Sequence, residues 1–152
     1  MKTAVLLTLL LAVPATPADP AARSAAPMMA VYKTPTCGCC AKWVDHMRQN
    51  GFNVMVTDLN DLSTIKQKHG VPARLQSCHT GVVNGFVVEG HVPAADVKRL
   101  LKNKPAVTGL TVPGMPAGSP GMEVPGIRTP AYQVLTFDKA GATKVFATHG
   151  GR

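Results

Sequence analysis

The chain has 152 residues, of which 45% are apolar and 16% charged, and this composition suits one small globular domain with a single core. Its formal net charge is +8, but the basic residues are scattered and only 5% of residues are aromatic. The sequence therefore offers neither a basic stripe for a phosphate backbone nor an aromatic surface for base stacking. These features exclude nucleic acid as the expected partner.

The N-terminus has the pattern of a secretory signal. Lys2 supplies a positive charge, residues 5–13 form an apolar run, and residues 14–18 end in alanine. A segment of this kind is removed during export, and it is too short to remain as a membrane-spanning helix.

We therefore predict a signal peptide over residues 1–18, with cleavage after Ala22 as the alternative. A flexible leader over residues 19–27 and one domain over residues 28–149 follow. The mature protein is expected in a bacterial periplasm, without stable membrane insertion.

Hydrophobic periodicity predicts alternating strands and helices in the next part of the chain. Asn84-Gly85 is a strong signal for a tight hairpin turn, and Pro93 for the start of a helix. The predicted elements are a strand at 28–33, a helix at about 40–50, a strand at 52–58, a short helix ending near 68, strands at 80–83 and 86–89, and a helix at 94–103. This β-α-β-α-β-β-α order predicts an α/β protein with a thioredoxin-like fold.

The composition changes after residue 104. Residues 105–130 are rich in glycine and proline and include Met115 and Met122, so we predict a long loop that contains these methionines. Residues 132–137 and 143–147 then predict a C-terminal β-hairpin. We expect Trp43, Met47 and Met55 to be core residues.

Three of the four cysteines, Cys37, Cys39 and Cys40, lie between the first strand and the first helix. Two structural disulfides would be the usual expectation in an oxidising compartment, but adjacent cysteines pair only with strain. The start of a helix favours thiolate over thiol. In a thioredoxin-like fold, the loop before the third strand faces this region, and here it carries Cys78 and His79. The cysteines are therefore predicted to be reactive.

Thiolates, imidazoles and thioethers suit a soft metal ion, and copper(I) is the best match. A Cys-x-Cys-Cys loop fits several ions bridged by shared thiolates better than one tetrahedral ion. Zinc is the rival metal, although adjacent Cys78 and His79 are an unusual zinc pattern. His91 follows the fourth strand and can reach the site from the side, whereas Met115 and Met122 either contact copper or only pack within their loop.

Four segments of the chain resemble the CopG family of small periplasmic copper-resistance proteins, long catalogued as a domain of unknown function. They are residues 34–44 (TPTCGCCAKWV), 77–80 (SCHT), 88–96 (VEGHVPAAD) and 114–123 (GMPAGSPGME). The resemblance covers residues 28–147 and implies a thioredoxin-like domain with a multinuclear, thiolate-bridged copper cluster. The ligands that it implies are Cys37, Cys39, Cys40, Cys78, His79, His91, Met115 and Met122.

Three functions follow from these residues. The first is a periplasmic protein that confers copper resistance by holding copper(I), with cycling to copper(II). The second is a thiol-disulfide oxidoreductase with Cys37 as nucleophile and Cys40 as resolving thiol, although Cys39 between them would interfere with the exchange. The third is a copper carrier that delivers its ion to an efflux pump or an oxidase.

Overall fold

The computed structural model describes residues 26–151. The predicted signal peptide lies outside the described residues, as does most of the predicted leader. In the described part, the strands are β1 (Met28–Lys33), β2 (Asn53–Asp58), β3 (Thr80–Val83), β4 (Phe86–Glu89), β5 (Gly109–Thr111), β6 (Tyr132–Phe137) and β7 (Thr143–His149). The α-helices are α1 (Gly38–Gln49), α2 (Ser63–Lys68) and α3 (Ala94–Asn103), and a 3-10 turn spans Ala73–Leu75.

The seven strands of residues 26–151 form one mixed sheet in the order β2-β1-β3-β4-β5-β6-β7. The pairs β1–β2 and β4–β5 are parallel, and the other neighbours are antiparallel. The prediction of an α/β protein is therefore confirmed. None of the helices in this part of the chain is long and apolar enough to cross a membrane.

The two faces of the sheet bury different groups. Trp43 and Met47 of α1 pack with α3 residues and with Val88 of β4 in the larger cluster. Val87 packs with Phe137 in a smaller cluster on the other face, as the alternation of side chains along a strand requires.

Local signals account for most elements. The β3–β4 hairpin turns at Asn84 and Gly85, which have φ of 47° and 83°, so this prediction is confirmed. The C-terminal hairpin of β6 and β7 is confirmed as well. Asp61 Oδ1 accepts a hydrogen bond from Ser63 N at 2.9 Å at the start of α2.

Three expectations were wrong in detail. Helix α1 begins at Gly38 instead of near residue 40, because Cys37 Sγ caps it by accepting a hydrogen bond from Cys40 N at 3.3 Å. Strand β5, only three residues long, was missed inside the segment predicted as loop. Met55 is 62% exposed because it lies on the edge strand β2, whereas Trp43 and Met47 are buried as expected.

Candidate metal centre

The first group of metal-binding side chains lies where β1 gives way to α1. Cys37 is the N-cap of α1, and Cys39 and Cys40 occupy its first turn. Cys37 and Cys40 form a disulfide, which has the Cys-x-x-Cys spacing. Cys39 and Cys78 are free thiols, and Cys39 Sγ lies 3.5 Å from Cys37 Sγ.

Cys78 reaches this group from the segment between the 3-10 turn and β3. Cys40 Sγ, part of the disulfide, lies 3.9 Å from the Cys78 carbonyl oxygen. The sulfur atoms of all four cysteines lie within 4.8 Å of one another, close enough to hold a metal ion. The expected convergence of the Cys78 segment on the cysteine loop is therefore found.

A second group consists of Cys78, His79 and His91, whose ligand atoms also lie within 4.8 Å of one another. Cys78 Sγ is 3.3 Å from His79 Nδ1 and 3.0 Å from His91 Nε2. Both imidazoles are fully buried. Cys78 thus belongs to both groups, and its sulfur joins them into one continuous site.

The orientation of His91 is fixed by a backbone group. Its Nδ1 lies 2.8 Å from the Pro120 carbonyl oxygen, and since a carbonyl only accepts, Nδ1 carries the proton. Burial lowers the pKa of His91, so the ring is neutral near pH 7 and Nε2 presents a lone pair to Cys78. A histidine whose outer nitrogen donates to a carbonyl is the usual arrangement of a metal ligand.

His79 is buried against Trp43, with ring centroids 4.3 Å apart, and Trp43 Nε1 in turn donates to the Val92 carbonyl at 2.9 Å. Burial, followed by the nearby His91 and Lys66, holds the pKa of His79 well below its usual value. Among the buried side-chain nitrogen and oxygen atoms of residues 26–151, His79 Nε2 is the one without a hydrogen-bond partner. The nitrogen that faces Cys78 is the other one, Nδ1, and with the sulfurs and the second imidazole it makes a donor set that fits a soft metal ion.

The Cys78 thiol is held in its protonated form. Burial raises the pKa of Cys78 to about 11, with the neighbouring Ser77 side chain opposing the change. A metal ion that binds Cys78 near pH 7 must therefore displace a proton.

The segment of residues 112–131 joins β5 to β6 and touches the site at two places. The Gly114 carbonyl accepts a hydrogen bond from the Ser77 hydroxyl group, and the Pro120 carbonyl accepts the one from His91. Gly121 has φ of +87°, and a Cβ there would lie 2.7 Å from the Cys39 carbonyl oxygen. The loop is thus packed directly on the first turn of α1.

The two loop methionines follow these contacts in the chain. Met115 comes directly after Gly114 and is 53% exposed. Met122 comes directly after Gly121 and is half-buried, and its backbone N–H donates to the Ser119 carbonyl at 2.7 Å. Both methionines are therefore close in sequence to the site contacts, and Met122 is the more shielded of the two.

A buried ion pair beside the site was missed by the sequence reasoning. Lys66 Nζ of α2 lies 2.5 Å from Glu89 Oε1 at the end of β4. Burial raises the pKa of Glu89, which the Lys66 ammonium opposes. A signal was present, because Glu89 ends an otherwise apolar strand, but a lysine on a short helix is ordinarily exposed.

Comparison with known proteins gives two kinds of match. The family model described as "Protein of unknown function, DUF411" matches residues 75–122. Two solved structures, "Copper resistance protein copG- Form 1" and "Form 2", are both 45% identical to this chain with a TM-score of 0.76. The first alignment covers 82% of this chain and 98% of that one, and the second 81% and 98%. No curated protein matches the chain.

Proposed function

The chain belongs to the family of the CopG copper resistance proteins, and from this premise we propose that it is a periplasmic copper-binding protein. It protects the cell by holding copper(I) in a cysteine-bridged site, and its cycling with copper(II) would use an electron acceptor and an electron donor from outside the chain. The observation that carries the proposal is the sharing of Cys78 between two groups of donor atoms.

The donor set favours copper(I) over zinc. Four sulfurs and two imidazoles are soft or intermediate ligands, which suit copper(I), and no carboxylate belongs to either group in the described chain. Reduction of the Cys37–Cys40 disulfide makes all four sulfurs available as ligands. The N-terminus of α1 then stabilises the thiolates of its first turn.

More than one ion fits this arrangement. One ion needs only three or four ligands, whereas the two groups together offer six donor atoms. A thiolate can bridge two ions, and Cys78 is where a bridge would join the groups. His79 and His91 supply neutral nitrogen donors, and Met122 is the loop thioether that we assign to the site first, with Met115 second.

Fold and location complete the proposal. The order β-α-β-α-β-β-α of the first seven elements and the sheet order β2-β1-β3-β4 support a thioredoxin-like assignment. The N-terminal sequence pattern supports export to the periplasm. Delivery of copper to an efflux pump or an oxidase would use the same ligands. Observed transfer of copper(I) from this protein to such a pump or oxidase would establish the delivery role.

The test is an anaerobic titration of the reduced mature protein with copper(I) against a chromogenic chelator. We expect uptake of more than one ion per chain. Cys78→Ser should lose more capacity than Cys39→Ser, because Cys78 serves both groups. His91→Gln should weaken binding, whereas the control His69→Gln, outside both groups, should not. Weak or absent uptake, with Cys39→Ser indistinguishable from wild type, would reject the copper proposal.

A thiol-disulfide oxidoreductase is the second candidate, and the Cys37–Cys40 disulfide at the start of α1 favours it. In this reaction the Cys37 thiolate attacks a substrate disulfide, and Cys40 resolves the mixed disulfide. Catalytic reduction of insulin by the metal-free protein, abolished in Cys37→Ser and unaffected in Cys78→Ser, would establish this activity.

A further inference from the structure

The buried ion pair of Lys66 and Glu89 lies next to the chain segment that carries two of the proposed ligands. Their side chains are 6% and 0% exposed, so both charges are removed from water. Replacing such a pair by apolar residues is often neutral or stabilising, so its presence is not explained by stability alone. Its contacts indicate another role.

Glu89 holds the ligand segment at both ends. Oε1 accepts a hydrogen bond from Ser77 N at 2.7 Å, and Oε2 accepts one from Thr80 Oγ1 at 2.7 Å. Lys66 Nζ donates to Thr80 Oγ1 at 3.1 Å as well as to Glu89. Cys78 and His79 are the two residues between Ser77 and Thr80.

Apart from the hydrogen bond of the Ser77 hydroxyl group to the Gly114 carbonyl, the segment has few other supports. Residues 76–79 precede β3 and belong to no helix or strand, so no ladder of backbone hydrogen bonds fixes them. The His79 carbonyl does accept a bond from Gly90 N at 3.0 Å, which ties the segment to the residue after Glu89. Glu89 and Gly90 together therefore set the position of the segment on the end of β4.

We propose that Lys66 and Glu89 are positioning residues for the metal site: the Glu89 carboxylate, held by Lys66, fixes residues 77–80 so that Cys78 and His79 face their partner ligands. The inference rests on the proposed copper function. A carboxylate suits the task because its two oxygens reach a backbone N–H at one end of the segment and a hydroxyl group at the other.

The test compares the double variant Lys66→Met/Glu89→Leu with wild type, because removing both charges avoids leaving one charge buried alone. The matched control is Asp96→Asn. Asp96 is a buried carboxylate that contacts Arg99 and His149 and no residue of either ligand group. Circular dichroism and the urea unfolding midpoint establish that each variant is folded under the assay conditions.

The first measurement needs no copper. In the metal-free protein with the Cys37–Cys40 disulfide intact, alkylation of Cys78 is compared with that of Cys39 by peptide mass spectrometry. We expect the Cys78 to Cys39 ratio to rise about tenfold or more in the double variant and to stay unchanged in Asp96→Asn. General loosening of the fold would raise both rates together.

The second measurement is the copper(I) dissociation constant of the reduced proteins. Loss of a group that orients metal ligands typically weakens binding about 10- to 100-fold, which is the expected effect in the double variant. Lys66→Met/Glu89→Gln, which retains an acceptor for Ser77 N, should recover part of this loss. It also replaces the first variant if that one does not fold.

The outcomes are separable. If wild type binds no copper(I), the proposed function fails, while the alkylation ratio still tests the positioning role. If wild type binds copper(I) and a folded double variant shows an unchanged ratio and a dissociation constant within about threefold of wild type, the positioning role is rejected.

Discussion

Substitution of Gly121 by alanine tests whether the close packing of the loop on α1 supports the metal site. The left-handed conformation of Gly121, with φ of +87°, costs an alanine about 1–2 kcal/mol. The added Cβ would also lie 2.7 Å from the Cys39 carbonyl oxygen and 2.9 Å from Trp43 N. Both are backbone atoms of a helix and cannot rotate away, so the loop must move.

Gly114→Ala is the matched control because it lies in the same loop with φ of +70°, and its Cβ would meet no described atom within 4 Å. It should therefore carry the conformational cost alone, offset by about 0.4–1 kcal/mol from the less flexible unfolded chain. Steric overpacking adds about 1–3 kcal/mol in Gly121→Ala. We expect the free energies of unfolding of the two variants to differ by that amount.

Urea titrations followed by fluorescence measure this difference, since Trp43 is the single tryptophan of the chain and is buried. Displacing the loop also moves the Pro120 carbonyl away from His91 Nδ1. The copper(I) dissociation constant should therefore rise about tenfold in Gly121→Ala and little in Gly114→Ala. Equal unfolding energies and equal copper affinities for the two variants would refute the reasoning.

Burial lowers the pKa of His79 and His91 in the folded protein. The metal-free protein should therefore keep its full stability above about pH 6.5, the pKa of a histidine in the unfolded chain. Below that pH, its free energy of unfolding should fall by up to about 1.4 kcal/mol per pH unit for each of the two histidines. Urea titrations from pH 7 to pH 5 check this, and a flat profile contradicts it. Trp43→Phe leaves the buried Val92 carbonyl without its hydrogen-bond donor and should lower the free energy of unfolding by about 1–3 kcal/mol. Thermal and urea unfolding measure this loss. An unchanged free energy of unfolding would mean that the indole hydrogen bond does not stabilise the fold. Met122→Leu should raise the copper(I) dissociation constant more than Met115→Leu, and the reverse order would place the exposed methionine nearer the ion.

The sequence was most informative where a local signal acts alone. The turn at Asn84 and Gly85 needs only residues that tolerate positive φ, and α3 needs only Pro93 at its start and an apolar stripe. Those elements match their predicted bounds. The start of α1 was missed because a cysteine side chain, an uncommon cap, supplies the hydrogen bond.

The features that the sequence did not predict depend on contacts between segments that are distant in the chain. Strand β5 forms because residues 109–111 fit between β4 and β6, and three residues are too few for a periodic signal. Met55 lies on an edge strand with half its neighbours missing, which the alternation of residues in β2 does not reveal. The approach of Cys78 and His79 to the cysteine loop could be predicted from the order of the elements. The ion pair of Lys66 and Glu89 could not, because it joins two segments that no local sequence pattern connects.

The shared sulfur of Cys78 has a consequence for how the site fills. In the proposed two-ion site, the first ion to bind this sulfur would release a proton from a thiol whose pKa is about 11, whereas a second ion would find it already a thiolate. Release of this proton links binding in one group to binding in the other, and its contribution favours both affinities by the same factor. We expect steep uptake curves in which empty and filled chains outnumber half-filled ones, so that at low copper a few molecules carry nearly all of the metal.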